Sequence, residues 1–280
     1  MTSRLAGIRA ITFDFGNTLV PVDREGLHRV VEVMADAIVK RIPAINRAAF
    51  LAAWSEERER QFREEVPQFR EVDLADRLVR VFARLRGMSP PAPEERWSQA
   101  IAARLSDPAE IAWGIEVYSE AFVEGLPEAP GTTALLERLS PDRDLAILSN
   151  WPLAATIDRY AEAHGWLPFL RAIVVSQRVG TIKPNRVIFE AARAELGGPP
   201  PESLLHVGDD WAADVVGAAA AGWRTAWLRH RPEDSPLPSS DQDESVHPDL
   251  VIDALADLPG RLGATVDAGA RRPNLEATPG

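Results

Sequence analysis

Four short groups of polar residues each follow a run of apolar residues in this sequence. They are Asp14 with Thr18, Ser149 with Asn150, Lys183, and Asp209 with Asp214. Three carboxylates in one small cleft could not all stay ionised without a cation, and all-oxygen ligation suits magnesium. A lysine, a serine hydroxyl and the amides at the start of a helix would attract an anion beside that metal. The combined chemistry is metal-assisted attack of a carboxylate on a phosphoryl group.

Each of these groups also has an ordinary structural explanation. Asp14 could cap a turn, and the Ser149–Asn150 pair could cap a helix. Asp209 could cap the next helix, and Asp214, one turn further on, could compensate the helix dipole. Lys183 could lie on the surface, but only two of the 31 basic residues are lysines, so a lysine at this position is informative.

The elements that position these residues follow from the hydrophobic pattern. In the stretch IRAITFDFGNTL, residues 8–19, a short apolar run ends on Asp14, and a turn that contains Gly16 follows. This pattern predicts a buried strand that delivers a carboxylate to the sheet edge where ligands of parallel α/β sheets bind. After Pro127, predicted strands alternate with helices, at 144–148, 172–175, 204–207, 223–228 and 249–252. The sequence therefore predicts an α/β fold with a doubly wound parallel sheet.

Residues 23–126 instead show apolar positions at helical spacing, so an all-helical block interrupts the sheet after its first strand. We expect helices at 74–85, between Asp73 as N-cap and Gly87 as C-terminal stop, and at 94–105 and 108–124. The charged runs 56–60 and 63–65 are predicted to be solvated helix surface, from which one arginine could face a ligand. The predicted division is a catalytic core of residues 1–22 and 127–262 and a cap domain of residues 23–126.

Three further local predictions concern the second half of the chain. A helix is expected to begin within SNWP, residues 149–152, with Pro152 in its first turn, and a last helix is expected at 254–262. Residues 230–247 are rich in Pro, Ser and Asp and predict a long exposed loop. Residues 263–280 lack periodicity and predict a disordered tail.

Composition excludes several classes of protein. An apolar share of 45% and a charged share of 26% over 280 residues are typical of a globular protein. The net charge of −11 argues against nucleic acid as a partner, because phosphate backbones need clustered basic residues. The absence of cysteine excludes disulfides and thiol catalysis, and no apolar run is long enough to span a membrane or to form a signal peptide. A cytoplasmic protein is expected, and its oligomeric state is not indicated.

The motifs and their order resemble those of the haloacid dehalogenase superfamily of hydrolases, in the branch with a helical cap after the first strand. The resemblance covers Arg9 to about Leu262 and rests on TFDFGNTL, LSN, KPN and GDDWAAD. It implies that Asp14 is a nucleophile that forms an aspartyl-phosphate and that Lys183 steadies the phosphoryl group against it. The other implied roles are phosphoryl or substrate binding by Thr18, Ser149 and Asn150, and magnesium binding by Asp14, the backbone carbonyl of Gly16 and Asp209, with Asp214 in support.

The sequence departs from the family pattern at one position. Most phosphatases of this family carry an aspartate two residues after the nucleophile, where it acts as general acid and base, and this chain has Gly16 there. The acid–base contribution, about 10²–10⁴-fold, is therefore in doubt.

Three functions stay open at this point. The first is a magnesium-dependent phosphatase for a small phosphorylated metabolite. The second is a metal-independent 2-haloacid dehalogenase. Such enzymes resemble one another in replacing the first acid of this motif, whereas GDDWAAD in this chain keeps both acids of the pair. The third is a catalytically weak binding or regulatory protein, which Gly16 would favour.

Overall fold

A six-stranded parallel sheet forms the centre of the protein. The computed structural model describes residues 5–89, 92, 99–244, 246–262 and 274–275. The strands are β1 Ala10–Phe13, β2 Asp144–Ser149, β3 Leu170–Val175, β4 Leu204–Gly208, β5 Arg224–Leu228 and β6 Leu250–Ile252. Their order is β3-β2-β1-β4-β5-β6, and every neighbouring pair is parallel. The predicted α/β fold with a doubly wound sheet is confirmed.

The central strands are buried on both faces. Ile11, Ile147 and Val207 pack in one hydrophobic cluster, and Ala146 and Leu204 pack in a second cluster. Helices cover both faces of the sheet, so the strands are continuous apolar runs rather than alternating ones. In the sheet register, β1 pairs with β2 and β4, so that the carboxyl ends of these strands are neighbours.

The described residues form six α-helices between β1 and β2, and the first five of them make up the helical insertion. These five are α1 Arg24–Arg41, α2 Arg47–Glu64, α3 Leu74–Leu85, α4 Gln99–Leu105 and α5 Pro108–Gly125. The side chain of Asp73 accepts hydrogen bonds from two amides of the first turn of α3, and Gly87, with φ +69°, follows its end, as predicted. The predicted helix at 94–105 lies partly outside the described residues, and so does nearly all of the predicted tail. The division into core and cap domains stays a prediction.

The remaining helices belong to the sheet region: α6 Thr132–Leu139, α7 Ala154–Ala163, α8 Ser176–Val179, α9 Arg186–Glu195 and α10 Gly217–Ala220. A turn of π-type hydrogen bonding at Trp211–Val216 leads into α10. No helix in the described ranges combines the length and the apolar character needed to cross a bilayer.

Three local predictions are wrong. Helix α7 begins at Ala154 rather than at Pro152, whose carbonyl instead accepts a hydrogen bond from the helical insertion. The predicted helix at 254–262 is two short 3-10 turns, because Pro259 has no amide to continue the first one. In the charged run 56–60, Glu57 is only 4% exposed, because it pairs with Arg60 and Arg84 against the face that α2 buries.

Candidate active site

Lys183 is the centre of a buried cluster at the carboxyl ends of β1, β2 and β4. Its Nζ lies 2.9 Å from Asp14 Oδ1, 2.6 Å from Asp214 Oδ1 and 3.0 Å from the carbonyl oxygen of Leu148. The residue is 2% exposed, so it is not a surface lysine. The structure thus brings together residues that are up to 200 positions apart in sequence.

Three carboxylates share this end of the sheet. Asp14, Asp209 and Asp214 each have an oxygen within 4.8 Å of the others. Burial raises the pKa of Asp14, against the opposing effect of Lys183. Burial and the negative charges of Asp14 and Asp214 raise the pKa of Asp209 well above its usual range. A cation would relieve this repulsion, and the all-oxygen donor set fits magnesium.

Asp214 has a different environment. Burial alone would raise its pKa, but Lys183 and His206 hold it below its usual range. His206 Nε2 lies 3.0 Å from Asp214 Oδ1, and the amide of Asp210 donates to Asp214 Oδ2 over 2.9 Å. A methyl group at Gly208 would lie 2.2 Å from Asp214 Cγ, so only glycine allows this approach. Asp214 therefore stays ionised and fixed.

His206 is a site residue that the sequence analysis missed. It lies within β4, where the run LLHVG is buried throughout. Burial lowers the pKa of His206, so the ring is neutral at pH 7, and its Nδ1 lies 2.7 Å from Thr12 Oγ1. A neutral ring can donate from Nε2 to Asp214 while Nδ1 accepts from Thr12. The only available signal was a histidine inside a buried strand.

The polar residues at the end of β2 have separate tasks. Ser149 is 1% exposed and slightly opposes the rise in the pKa of Asp14, yet its Oγ makes no hydrogen bond of ordinary geometry with the described residues. This hydroxyl is available to an anion. The side chain of Asn150, in contrast, accepts from the Lys183 amide over 2.7 Å and donates to the Lys183 carbonyl over 3.0 Å. Asn150 therefore positions Lys183. Thr18 is buried, with Oγ1 3.4 Å from Asp209 Oδ1.

The space beside Gly16, where most phosphatases of the family have a carboxylate, is filled by other side chains. The φ of Gly16 lies outside the left-handed region, which is occupied instead by Asn17 with φ +58°. A methyl group at Gly16 would lie 2.6 Å from Leu237 Cδ1 and 3.1 Å from Trp151 Cζ3. The backbone would therefore accept a side chain, and Leu237 is what excludes it.

Leu237 belongs to residues 231–240, which we call the closing segment. Arg231 Nη1 lies 3.2 Å from Asp209 Oδ2, and Asn17 Nδ2 donates to Ser235 Oγ over 3.0 Å. The Ser240 amide and hydroxyl both donate to Asp210 over 2.9 Å. The segment is a loop, as predicted, but Arg231, Ser235 and Ser240 are only partly exposed, because their side chains bond to the site.

A cavity of about 300 Å³ lies above these residues. Its floor contains Asp14, Gly16, Asn150, Lys183, Asp209 and Asp214, and its roof comes from the helical insertion, with Leu27, Arg58, Phe62, Val66, Phe69, Glu71, Val72, Leu74, Arg77 and Tyr118. The closing segment supplies a further wall. One arginine of the charged run, Arg58, does face this cavity, whereas the burial of Arg77 had no signal in the sequence.

Direct hydrogen bonds join the roof to the sheet region. The Leu74 amide donates to the Pro152 carbonyl over 3.2 Å, and the Ile182 amide donates to the Phe69 carbonyl over 3.3 Å. Gln177 Nε2 donates to Asp73 Oδ2 over 3.0 Å, and Ser176 Oγ donates to Glu71. Arg58 Nη2 donates to the carbonyl of Pro236, in the closing segment, over 2.7 Å. We call these contacts the roof latch.

Comparisons with known proteins identify the family. The model of the haloacid dehalogenase-like hydrolases matches residues 8–222, and the chain belongs to this family. The pyrimidine 5'-nucleotidase YjjG of Escherichia coli is 28% identical over 50% of this chain and 60% of that relative. The ribulose-1,5-bisphosphate 5-phosphatase of Halopiger xanaduensis is 30% identical over 51% of this chain and 60% of that relative. The matched parts are thus less than two thirds of these relatives.

Solved structures share the fold over nearly their whole length. The HAD-hydrolase YfnB from Bacillus subtilis is 21% identical, with a TM-score of 0.58, and the match covers 91% of this chain and 99% of that one. A 2-haloacid dehalogenase from Pseudomonas syringae is 18% identical, with a TM-score of 0.61, and the match covers 91% and 97% of the two chains. At these identities the likeness concerns the fold alone.

Proposed function

We propose that this protein is a magnesium-dependent phosphatase that acts on a small phosphorylated metabolite, with Asp14 as the nucleophile. The observation that carries the proposal is the contact of Lys183 with Asp14 and Asp214, beside three carboxylates whose oxygens lie within 4.8 Å of one another. Relatives named as phosphatases support the same reaction. A metabolite substrate agrees with the cytoplasmic location, which stays a prediction.

In this proposal the floor residues divide the chemistry. An Asp14 oxygen attacks phosphorus while the bond to the leaving oxygen breaks, and water then hydrolyses the aspartyl-phosphate. Lys183 Nζ and Ser149 Oγ would donate to the phosphoryl oxygens, and Thr18 would support them from beside Asp209. Magnesium, held by Asp14, the Gly16 carbonyl and Asp209 with Asp214 in support, would withdraw charge from the phosphoryl group when bound.

Among the described floor residues, no carboxyl group outside the proposed magnesium site is free to protonate the leaving group. Gly16 has no side chain, and both carboxylate oxygens of Asp210 accept hydrogen bonds, from Ala213 and Ser240. The departing oxygen would therefore leave as an anion or take its proton from water or from the substrate. Good leaving groups, such as aryl phosphates, acyl phosphates and anhydrides, should react much faster than alkyl phosphates.

The test is phosphate release from a panel of phosphorylated metabolites and aryl phosphates, with and without magnesium. Asp14→Asn should lower turnover at least about 100-fold, because an amide is not a nucleophile at neutral pH. Asp142→Asn, at an exposed aspartate, is the matched control and should keep full activity.

Two outcomes would replace the proposal. Halide release from 2-chloropropionate without metal would identify a dehalogenase. Magnesium binding without turnover of any substrate would favour the binding or regulatory protein.

A further inference from the structure

Two arginines of the roof face the cavity without an acidic partner. In the part of the chain that the structure describes, no carboxylate forms an ion pair with Arg58 or Arg77. Arg77, 4% exposed, donates from Nε to the neutral Gln61 over 2.8 Å, and its guanidinium lies 5.0 Å from the Trp54 ring. These contacts leave both Nη groups of Arg77 free to donate to a ligand.

The surroundings of Arg77 do not neutralise its charge. Burial, together with the neighbouring Arg58, lowers the pKa of Arg77 to about 10, so the group is still protonated at pH 7. Burial raises the pKa of Tyr118, which both arginines influence, to about 12, so the phenol is neutral. The cavity therefore has a positive potential on its roof.

Glu71 is the acidic residue of the roof that lines the cavity, so it could have formed an ion pair with one of the arginines. Its oxygens instead accept hydrogen bonds from Ser176 Oγ and from the Val72 amide, and burial raises its pKa. Glu71 and Asp73 both attract Arg77 electrostatically and raise its pKa, but among the described residues neither carboxylate forms an ion pair with it. A buried charge without a partner is costly, and a ligand that brings the opposite charge removes this cost.

We propose that Arg58 and Arg77 bind a second anionic group of the substrate, a carboxylate or a second phosphate. The proposal rests on the proposed function, because the first anion is the phosphoryl group at Asp14. The walls between floor and roof include Phe62, Val66, Phe69, Leu74 and Trp151. The substrate class is thus the phosphate ester of an apolar or aromatic acid, which a cavity of about 300 Å³ would largely enclose.

The first experiment compares substrates that differ only in this second charge. With 4-carboxyphenyl phosphate and its neutral isostere 4-carbamoylphenyl phosphate, the wild type should show a KM at least about tenfold lower for the carboxylate, the effect of charge-assisted hydrogen bonds. An aryl phosphate that carries a phosphonate instead of the carboxylate shows which oxyanion is preferred. Equal KM values for the charged and neutral substrates would overturn the proposal.

Variants connect this preference to the arginines. Arg77→Met and Arg58→Met should each reduce the ratio of the two KM values towards one, because each variant should raise the KM of the carboxylate compound more than that of the carbamoyl compound. Arg84→Met is the matched control, since Arg84 lies on the same helix as Arg77 but pairs with Glu56 and Glu57. If Arg77→Met does not fold, Arg58→Met alone decides, because a ratio that it leaves unchanged contradicts the proposal.

A binding measurement separates this proposal from the proposed function. Calorimetry with benzoate and benzamide needs no turnover: benzoate should bind the wild type and the Arg84→Met protein, and should lose at least about tenfold in affinity in Arg58→Met. If no phosphate ester reacts but benzoate binds in this way, only the phosphatase proposal fails. If esters react and benzoate binding does not depend on the arginines, only the second anion site fails.

Discussion

The floor and the roof of the cavity treat buried charge in opposite ways. On the floor, Lys183 meets two carboxylates and a carbonyl within 3.0 Å. On the roof, Arg77 meets an amide and an indole ring. Removing one member of a buried ion pair destabilises the protein, because it leaves the other charge without a partner. A buried charge that has no partner in the protein is instead available to bind a ligand. Changes on the floor should therefore affect stability, and changes on the roof should affect binding.

The largest expected effect is on stability, and it differs between the floor and the roof. Lys183→Met should lower the free energy of unfolding by about 3–5 kcal/mol, because it leaves Asp14 and Asp214 buried without their partner. Arg77→Met should change the same quantity by less than about 1 kcal/mol, since the lost amide and ring contacts are offset by the lower cost of burial. Urea denaturation without magnesium measures both values. Equal losses in the two variants would show that the contrast between floor and roof is wrong.

The next prediction concerns shape rather than charge at the floor. Lys183→Arg should reduce kcat at least about 100-fold, because a planar guanidinium does not fit a place enclosed on three sides by oxygens. Lys40→Arg is the matched control, since Lys40 is the other lysine of the chain and is exposed. Turnover of the Lys183→Arg protein within threefold of the control would mean that only the charge matters there.

The effect of Asp209→Asn on magnesium affinity should be smaller than the effect of Lys183→Arg on kcat. Asp209→Asn removes one of the charges proposed to contact the metal and should weaken binding about tenfold or more. It also removes a carboxyl group whose pKa is raised by burial and by Asp14 and Asp214, so the pH dependence of magnesium binding should flatten. Calorimetry of the variant beside Asp142→Asn tests this. The same magnesium affinity in both proteins would remove Asp209 from the metal site.

The smallest expected effect concerns Gly16 and the closing segment. Gly16→Asp alone should fold poorly, because the new side chain meets Leu237, whereas Gly16→Asp with Leu237→Ala should accommodate the carboxyl group. The double variant should narrow the rate difference between phenyl and alkyl phosphates several-fold, and Leu237→Ala alone should keep the steep dependence. A shallow dependence in the wild type would mean that another group already supplies the proton.

The floor was predictable from sequence because each of its residues follows a local pattern. Asp14 and Asp209 both end apolar runs of strand length, and the parallel sheet brings such ends together. Arg77 was not predictable, because an arginine on an amphipathic helix normally faces solvent, and its burial depends on how α2 packs against α3. The closing segment has the composition of an exposed loop, and its contact with Asn17 joins residues 218 positions apart. Long-range pairing of this kind has no local signature.

The roof latch has a consequence for the timing of catalysis. Its hydrogen bonds contribute about 0.5–1.5 kcal/mol each, so if substrates enter by separation of roof and floor, several of these bonds break on the way. The open form is then a minor species, and the same opening admits the substrate and releases the product. A product that retains its second anion would still hold the arginines after phosphate transfer. Its departure, rather than the attack by Asp14, would then set the length of each catalytic cycle.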